Sequence, residues 1–298
     1  MAPTVTIGLP VHNGERFLAE AIEAVLGQTF HDLELIISDN ASTDGTEPIA
    51  RRYAGADPRV VYVRGPANRG AAWNYNHVVE LARGRYFKWQ AHDDLIDPTY
   101  IEKCLAVLER DPGVALAYGL TRFIDENGQT IGQWDDRLHL SAATAHERLG
   151  LMLARAGMCN TVMGLMPTGV LRRTRGIDRF RGSDYVLLAE LAMLGRIAEI
   201  PAARFYRRIH AGSYQRANRT GRAIQRWLDP SLDGEPRLAG VRLWLEFVRS
   251  VWRMELAPAE RLACLWAVRQ WPKARLRDML GRCRRHAFSS IQGFLQMP

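Results

Sequence analysis

The sequence predicts an α/β fold in which a mostly parallel sheet is flanked by helices and followed by a helical extension. Three observations predict it. In the first 110 residues, short apolar runs alternate with helical stretches of about a dozen residues, which is typical of βαβ units. The 298 residues, 47% of them hydrophobic, can bury a sizeable core. From about residue 221 onward only helical spacing recurs. We therefore divide the chain into a main domain, 1–220, and an extension, 221–298.

The first four strands come early in the chain. Pro10 closes the first strand, and the second strand is followed directly by an acid, Asp39. The fourth is an aromatic strand between Gly84 and Asp97, and Asp97 can begin the helix that runs to Arg110. The predicted strands are 5–9, 33–38, 60–63 and 86–90, and the helices are 17–26, a segment ending at Tyr53, 73–82 and 98–110.

The alternation loosens beyond Arg110. Asp125–Gly128 is typical of a hairpin turn, and Gly195 ends a helix with a buried apolar stripe. The stretch 158–182 is the least regular, and its five arginines could bind an acidic ligand or face water. The predicted elements are a strand at 114–123, helices at 142–156 and 184–194, and strand-like segments at 197–200 and 204–207.

Polar loops follow strands one, two and four. The loops from Pro10 to Asn13, from Asp39 to Thr46, and at Asp93-Asp94 should share the rim where open α/β sheets bind ligands. Paired carboxylates there suit a divalent cation that holds a diphosphate. The alternative is that Asp93 or Asp94 only caps the helix at 98–110, but Asp97 can serve as that cap. The chain lacks a Gly-x-Gly-x-x-Gly fingerprint and a Gly-x-x-x-x-Gly-Lys loop, which disfavours dinucleotide dehydrogenases and P-loop ATPases.

The net charge of +8 lies mostly in the extension. Residues 220–298 carry 14 Lys and Arg against 7 Asp and Glu, a balance of +7, so residues 1–219 hold only +1. This unevenness favours an anionic surface such as lipid over nucleic acid as a partner. Within 241–256 an apolar face opposes a charged face, and the pattern continues to the end of the chain. Packing of these faces on the main domain or on another subunit is the alternative. The charged face comprises Arg242, Glu246, Arg249 and Arg253.

No segment of the sequence resembles a signal peptide or a membrane span. We therefore expect a cytoplasmic protein, at most peripheral on the inner face of the membrane. The four cysteines are scattered and form no Cys-x-x-Cys pair, which argues against a zinc site and a disulfide framework. We expect Cys104, Cys159, Cys264 and Cys283 to be reduced thiols.

Several motifs occur in a fixed order, and together they resemble the inverting family-2 glycosyltransferases. This family has a GT-A fold and uses nucleotide-sugar donors. The resemblance covers roughly residues 4 to 215, and the extension lies outside it. The motifs are Thr6–Glu15, Gln28-Thr29-Phe30, Glu34–Thr46, Asn68-Arg69-Gly70, Ala91-His92-Asp93-Asp94, Ser183-Asp184-Tyr185 and Tyr206–His210.

The resemblance implies a set of site residues. Pro10 and Asn13 would line the nucleoside pocket, and Asp39 would accept a hydrogen bond from the base. Asp184 would be the general base that deprotonates the acceptor hydroxyl. Asp93 is the first choice as ligand of Mn²⁺ or Mg²⁺. Asp94 and His210 complete the implied set of metal ligands. The other residues that would contact the nucleotide sugar are Asn68, Gly70, His92, Asp93, Arg207 (or Arg208) and His210.

Two positions depart from the family pattern. Ala91 replaces the first acid of the metal motif, and Ser183 replaces the acid before the base. The resemblance implies transfer of a hexose from a UDP- or dTDP-sugar to a glycan or lipid-linked saccharide, in cell-envelope or surface polysaccharide synthesis. A sugar nucleotidyltransferase and a catalytically silent nucleotide-binding or scaffold module are the alternatives. The first would require a glycine-rich basic loop after strand one, and the two departures would support the second.

Overall fold

The computed structural model describes residues 2–213, 220–232, 234 and 238–271. Its centre is one sheet, in which the strand order is β3-β2-β1-β4-β8-β6-β9-β5 and β7 pairs with β6. The predicted α/β class is confirmed. The strands are β1 (Val5–Val11), β2 (Leu33–Asp39), β3 (Val60–Arg64), β4 (Tyr86–Trp89), β5 (Leu95–Ile96), β6 (Val114–Ile124), β7 (Thr130–Trp134), β8 (Leu165–Pro167) and β9 (Arg196–Arg208).

The first four strands pair in parallel, as predicted. Both β1 and β2 are buried along their whole length, which explains their continuous apolar runs. The predicted end of β1 at Pro10 is wrong, because the strand continues to Val11. Proline is tolerated at position 10 because the pairing of β1 with β4 already ends at Gly8. No backbone hydrogen bond between these two strands therefore requires an N–H at Pro10.

The second half of the sheet is mixed. Strands β6 and β9 are parallel, but β8 is antiparallel to both β4 and β6, and β5 and β7 are antiparallel edge partners. An uninterrupted series of parallel strands is therefore confined to β1 to β4. The two strand-like segments around Pro201 are one strand, β9, and a register shift opposite Gly119 and Leu120 accommodates the proline. Strands β5 and β8 were not predicted from the sequence.

Helices cover both faces of the sheet. Tyr86 and Phe87, neighbours in β4, belong to different core clusters, so the two main clusters lie on opposite faces. The helices are α1 (Leu18–Leu26), α2 (Thr46–Ala56), α3 (Ala71–Leu81), α4 (Tyr100–Arg110), α5 (Ala145–Arg155), a 3₁₀ helix (Asn160–Met163), α6 (Thr168–Leu171), α7 (Ser183–Leu194), α8 (Gly221–Leu228), α9 (Ala239–Arg253) and α10 (258–271).

The extension packs on the main domain through α9. Phe247 and Val251 of α9 are buried in the same cluster as α7. The predicted charged outer face is wrong at Glu246, which is 4% exposed and pairs with Arg175. Arg253 is exposed as predicted, and its guanidinium also pairs with buried Glu190. The division at residue 220 stays a prediction. Residues 272–298, where the sequence continues the amphipathic pattern, lie outside the described residues.

Two further predictions concern thiols and membrane spans. Cys104, Cys159 and Cys264 are buried and form no disulfide within the described part of the chain, and Cys283 lies outside it. Within the part of the chain that the structure describes, no helix is both long enough and apolar enough to cross a bilayer.

Candidate active site

The loops after β1, β2 and β4 meet at one rim of the sheet, as predicted. His12 Nδ1 lies 3.0 Å from the carbonyl oxygen of Asn40 in the β2 loop. On the other side, a Cβ atom at Gly14 would lie 2.6 Å from Cδ2 of His92 in the β4 loop. Pro10 is buried at the carboxyl end of β1, directly before these contacts. The β1 loop therefore lies between the other two.

Asp39 is fully buried at the end of β2, and hydrogen bonds occupy both of its carboxylate oxygens. Oδ1 accepts the N–H of Ser42 at 2.7 Å, and Oδ2 accepts from Tyr62 Oη at 2.8 Å and Arg64 Nη1 at 2.6 Å. Burial alone would raise the pKa of Asp39, but these hydrogen bonds and the Arg64 charge outweigh it and lower the pKa. A nucleobase that forms a hydrogen bond with Asp39 must therefore share the carboxylate with Tyr62 and Arg64.

Asn13 joins the β1 and β2 loops. Its φ of +55° is left-handed, a conformation that asparagine tolerates better than most residues. Its backbone N–H donates to Ser42 Oγ at 2.9 Å, and its side-chain Oδ1 accepts the N–H of Thr43 at 2.8 Å. These contacts fix Asn13 at the entrance to the predicted nucleoside pocket.

The turn before α3 is tied to the same rim. Asn68 Oδ1 accepts from Asn40 Nδ2 and from the N–H of Gly70, both at 2.9 Å. Gly70 has φ +86°, and a Cβ atom there would clash with the carbonyl oxygen of Leu228 in α8. Only glycine fits both requirements. The structure thus brings Asn68 and Gly70 next to the β2 loop and against the extension.

Asp93 and His210 are adjacent, although 117 residues separate them. His210 Nε2 lies 2.9 Å from Asp93 Oδ2, and the imidazole also meets the Phe17 ring edge-on with centroids 4.8 Å apart. Burial alone would raise the pKa of Asp93, but nearby His92 and the His210 hydrogen bond outweigh it and lower the pKa. An ionised carboxylate beside an imidazole is a chemically suitable pair of metal ligands.

Asp94 faces inward. It is 5% exposed, and its Oδ1 accepts the backbone N–H of Arg208 at 2.9 Å. Burial, followed by the charge of Asp93, raises the pKa of Asp94, which favours the protonated form. The geometry therefore favours Asp93 over Asp94 as a metal ligand.

The side chains of Asp93 and His210 fit a divalent cation that is also bound by a substrate. Manganese and magnesium are commonly held by one or two protein ligands, with phosphate oxygens and water completing the shell. Asp93 and His210 can supply such a pair. No cluster of three potential ligands from His, Cys, Asp and Glu occurs among the residues that the structure describes.

Arg207 and Asp184 are the remaining two predicted site residues. Arg207 Nη1 donates to Asn160 Oδ1 at 2.6 Å, while the neighbouring Arg208 is buried and pairs with Glu20. Asp184 lies in the first turn of α7, whose N-cap is Gly182. Its Oδ1 accepts the N–H of Tyr185 at 3.0 Å.

The surroundings of Asp184 suit a proton acceptor. Burial raises its pKa, and the hydrogen bond from the Tyr185 N–H and the charges of Arg207 and Arg181 offset this only in part. A carboxylate with a raised pKa is a stronger base when ionised. The charge of Arg207 also acts on Asp94, so the same side chain influences both parts of the rim.

Three residues of this rim were missed from the sequence. Tyr62 and Arg64 end β3, and the rule that strand ends share a rim could have found them. Asn160 lies in the irregular stretch 158–182, where the sequence gives no signal. Its Nδ2 is buried and has no hydrogen-bond partner among the residues that the structure describes.

The comparison with protein families decides the classification. A model of the family described as glycosyl transferase family 2 matches residues 6–169, more than half of the chain. The chain belongs to glycosyltransferase family 2. The family predicted from the motifs is thereby confirmed.

Relatives and solved structures agree with this. The Escherichia coli chondroitin synthase is 32% identical over 159 residues, which is 52% of this chain and 23% of the relative. The putative glycosyltransferase EpsE of Bacillus subtilis is 40% identical over 109 residues, which is 36% of this chain and 39% of the relative. The matched region thus spans less than half of either relative.

Two structural neighbours share the fold at low identity. The S. aureus TarS 1–349 complex with UDP-GlcNAc has a TM-score of 0.63 at 15% identity, covering 91% of this chain and 72% of TarS 1–349. The mannosyltransferase PcManGT from Pyrobaculum calidifontis, in complex with GDP-Man and Mn²⁺, has a TM-score of 0.58 at 17% identity, covering 99% and 81%. These likenesses support the GT-A fold.

Proposed function

We propose that this chain is an inverting, metal-dependent glycosyltransferase that moves a hexose from a UDP- or dTDP-sugar to a glycan or lipid-linked saccharide. One observation carries the proposal. The charge of Arg207 acts to lower the pKa of both Asp184 and Asp94, and Asp94 is the neighbour of the Asp93–His210 pair, which supports a common site for the pair and the Asp184 carboxylate. A diphosphate-holding pair and a proton acceptor are the two functions that the reaction requires.

Asp184 removes the proton from the acceptor hydroxyl. The oxygen then attacks the anomeric carbon from the face opposite the diphosphate, so the configuration inverts and the nucleoside diphosphate leaves. The hydrogen bond from the Tyr185 N–H holds one carboxylate oxygen of Asp184 at the mouth of α7. Burial raises the pKa of Asp184 and thereby brings it closer to that of a useful general base.

The donor lies across the β1, β2 and β4 loops. Asp39 with Tyr62 and Arg64 forms the nucleoside side, and Asn13 and Asn68 shape the entrance. Asp93 and His210 would hold Mn²⁺ or Mg²⁺, which when bound offsets the charge on the departing diphosphate. Arg207 adds a fixed positive charge nearby.

A role in polysaccharide synthesis is part of the proposal. Its support comes from the relatives, one of which is a chondroitin synthase, and from neighbours that bind UDP-GlcNAc or GDP-Man. These two nucleotide sugars differ both in the sugar and in the nucleobase. A donor panel that includes both UDP- and GDP-sugars is therefore the appropriate first assay.

The extension would place the enzyme peripherally on an anionic membrane surface on the cytoplasmic side. Trp252 is 61% exposed, Leu262 67% and Trp266 64%, and the Arg261 guanidinium lies 5.5 Å from the centroid of the Trp252 ring. Exposed tryptophan beside arginine is typical of side chains at bilayer interfaces. The balance of +7 in residues 220–298 supports the same surface.

The test of the proposed function uses wild-type protein and Asp184→Asn with a panel of nucleotide sugars and mass-spectrometric product detection. We expect sugar transfer by the wild type. Asp184→Asn should lower turnover by roughly 10²–10⁴-fold, the usual contribution of a general base. Donor binding should stay close to that of the wild type, and asparagine can still accept the Tyr185 hydrogen bond.

Three outcomes would contradict the proposal. If the wild type binds nucleotide sugars but neither transfers nor hydrolyses them, the chain is a silent binding module. If Asp184→Asn melts normally, binds donor and transfers sugar at the wild-type rate, another carboxylate is the base. Formation of a nucleotide sugar from a sugar phosphate and a nucleoside triphosphate would instead indicate a nucleotidyltransferase.

A further inference from the structure

Helix α9 of the extension contacts the chain just before Asp184. A Cβ atom on Gly182, the residue that precedes α7, would lie 3.3 Å from Leu243 Cδ2 and 3.5 Å from Leu243 Cδ1. Gly182 adopts a left-handed φ of +94°. Leu243 therefore packs against the backbone only two residues before Asp184.

A second contact holds the same approach. The Arg242 guanidinium lies 4.7 Å from the centroid of the Phe180 ring, and Phe180 is 4% exposed. The carbonyl oxygen of Phe180 accepts the N–H of Ser183 at 3.2 Å. The turn that starts α7 is thus fixed from outside by two consecutive residues of α9.

Further along, α9 grips α7 through a buried carboxylate. Glu190 is fully buried and accepts from Ser250 Oγ at 2.6 Å and from Arg253 Nη1 at 2.8 Å, both on α9. It also accepts the backbone N–H of Arg175 at 2.8 Å, and Arg175 Nη1 donates to Glu246 Oε2 at 2.6 Å. Six residues of helix, about 9 Å, separate Glu190 from Asp184.

Two fixed points on one helix set both its position and its rotation. We infer that α9 positions the Asp184 carboxylate toward the acceptor, with Leu243 as the principal positioning residue, a role that presupposes the proposed function. Proton transfer needs hydrogen-bond reach, and a displacement of about 1 Å can lower the rate by roughly 10²-fold. The extension then belongs to the catalytic unit and is not an accessory of it.

The variant that tests this is Leu243→Ala in the full-length chain. We expect kcat to fall by about ten- to a hundredfold. The KM for donor, and the donor Kd from calorimetry, should stay within about twofold, because Asp39, Asp93 and His210 lie on other elements. Leu243→Met conserves volume and should restore most of the turnover.

Leu245→Ala is the matched control. It makes the same chemical change two residues along α9, at a side chain that is 41% exposed, and should leave kcat unchanged. Ser250→Ala is the second test variant, because it removes one hydrogen bond from Glu190 and should lower kcat with the same unchanged donor KM. It decides the matter should Leu243→Ala fail to fold.

The outcomes separate the two proposals. Absence of transfer by the wild type overturns the proposed function and the role of Leu243 with it. An active wild type with full turnover in Leu243→Ala and Ser250→Ala overturns the positioning role alone. Equal loss of donor affinity and turnover, or an equal effect of Leu245→Ala, also overturns it, since each indicates general damage to the fold.

Discussion

Replacing Phe247 by alanine tests whether the C-terminal helices and the sheet unfold together. Phe247 is 1% exposed, and its ring meets that of Trp271 edge-on with centroids 5.3 Å apart. It shares a core cluster with Leu187 and Leu191 of α7. Deleting a buried phenyl ring costs about 3–5 kcal/mol, and each kcal/mol shifts Tm by roughly 2–4 °C in a chain of this size range, so Tm should fall by about 6–20 °C.

Scanning calorimetry measures this directly. We expect one transition that moves as a whole, because the lost contacts join the extension to α7. Trp266→Ala is the control: it removes an aromatic side chain that is 64% exposed, and it should change the free energy of unfolding by less than about 0.5 kcal/mol. A Phe247→Ala protein with wild-type Tm, or one with two transitions of which only the smaller moves, would refute the reasoning and make the extension an independent domain.

Three other perturbations have defined outcomes. Asp93→Asn should weaken nucleotide-sugar binding in the presence of Mn²⁺ more than Asp94→Asn does, because Asp93 faces His210 whereas Asp94 faces the backbone of β9. Calorimetry with and without EDTA measures this, and unchanged binding would mean that the site needs no metal. Because burial raises the pKa of Asp184, kcat should increase with pH through a pKa above the ordinary aspartate value of 3.8, and a pH–rate profile without that acidic limb would count against Asp184 as base. Replacing Trp252 and Trp266 together by serine should reduce flotation with anionic vesicles, and equal flotation of this variant and the wild type would exclude the two indoles as the membrane contact.

Local patterns were sufficient for the first half of the fold. Strands β1 to β4 and the helices between them follow from apolar runs and their spacing, because each of these elements is long enough to show its own pattern in the sequence. The strands β5 and β8 are shorter, and β8 is defined by distant partners: Leu165 lies opposite Lys88 and also opposite Ala117. A segment of two or three residues carries no periodicity, so only tertiary pairing defines it.

The motifs located the site but not the direction of each side chain. Arg207 and Arg208 were equivalent in the sequence, yet neighbouring strand residues face opposite ways: Arg207 contacts Asn160, whereas Arg208 pairs with Glu20. The helical pattern assigned Glu246 to solvent because it registers polarity alone. The half-buried partner Arg175, 71 residues earlier, reverses that assignment.

The close approach of Gly70 to α8 gives the molecule an optical signal. The carbonyl oxygen of Leu228 lies where a side chain at position 70 would be, so we expect a change in the turn at Asn68–Gly70 to shift the end of α8. Trp227, 38% exposed, is the neighbour of Leu228. Its indole emission should therefore report donor occupancy without any added label, and stopped-flow fluorescence could time nucleotide arrival and departure separately from sugar transfer.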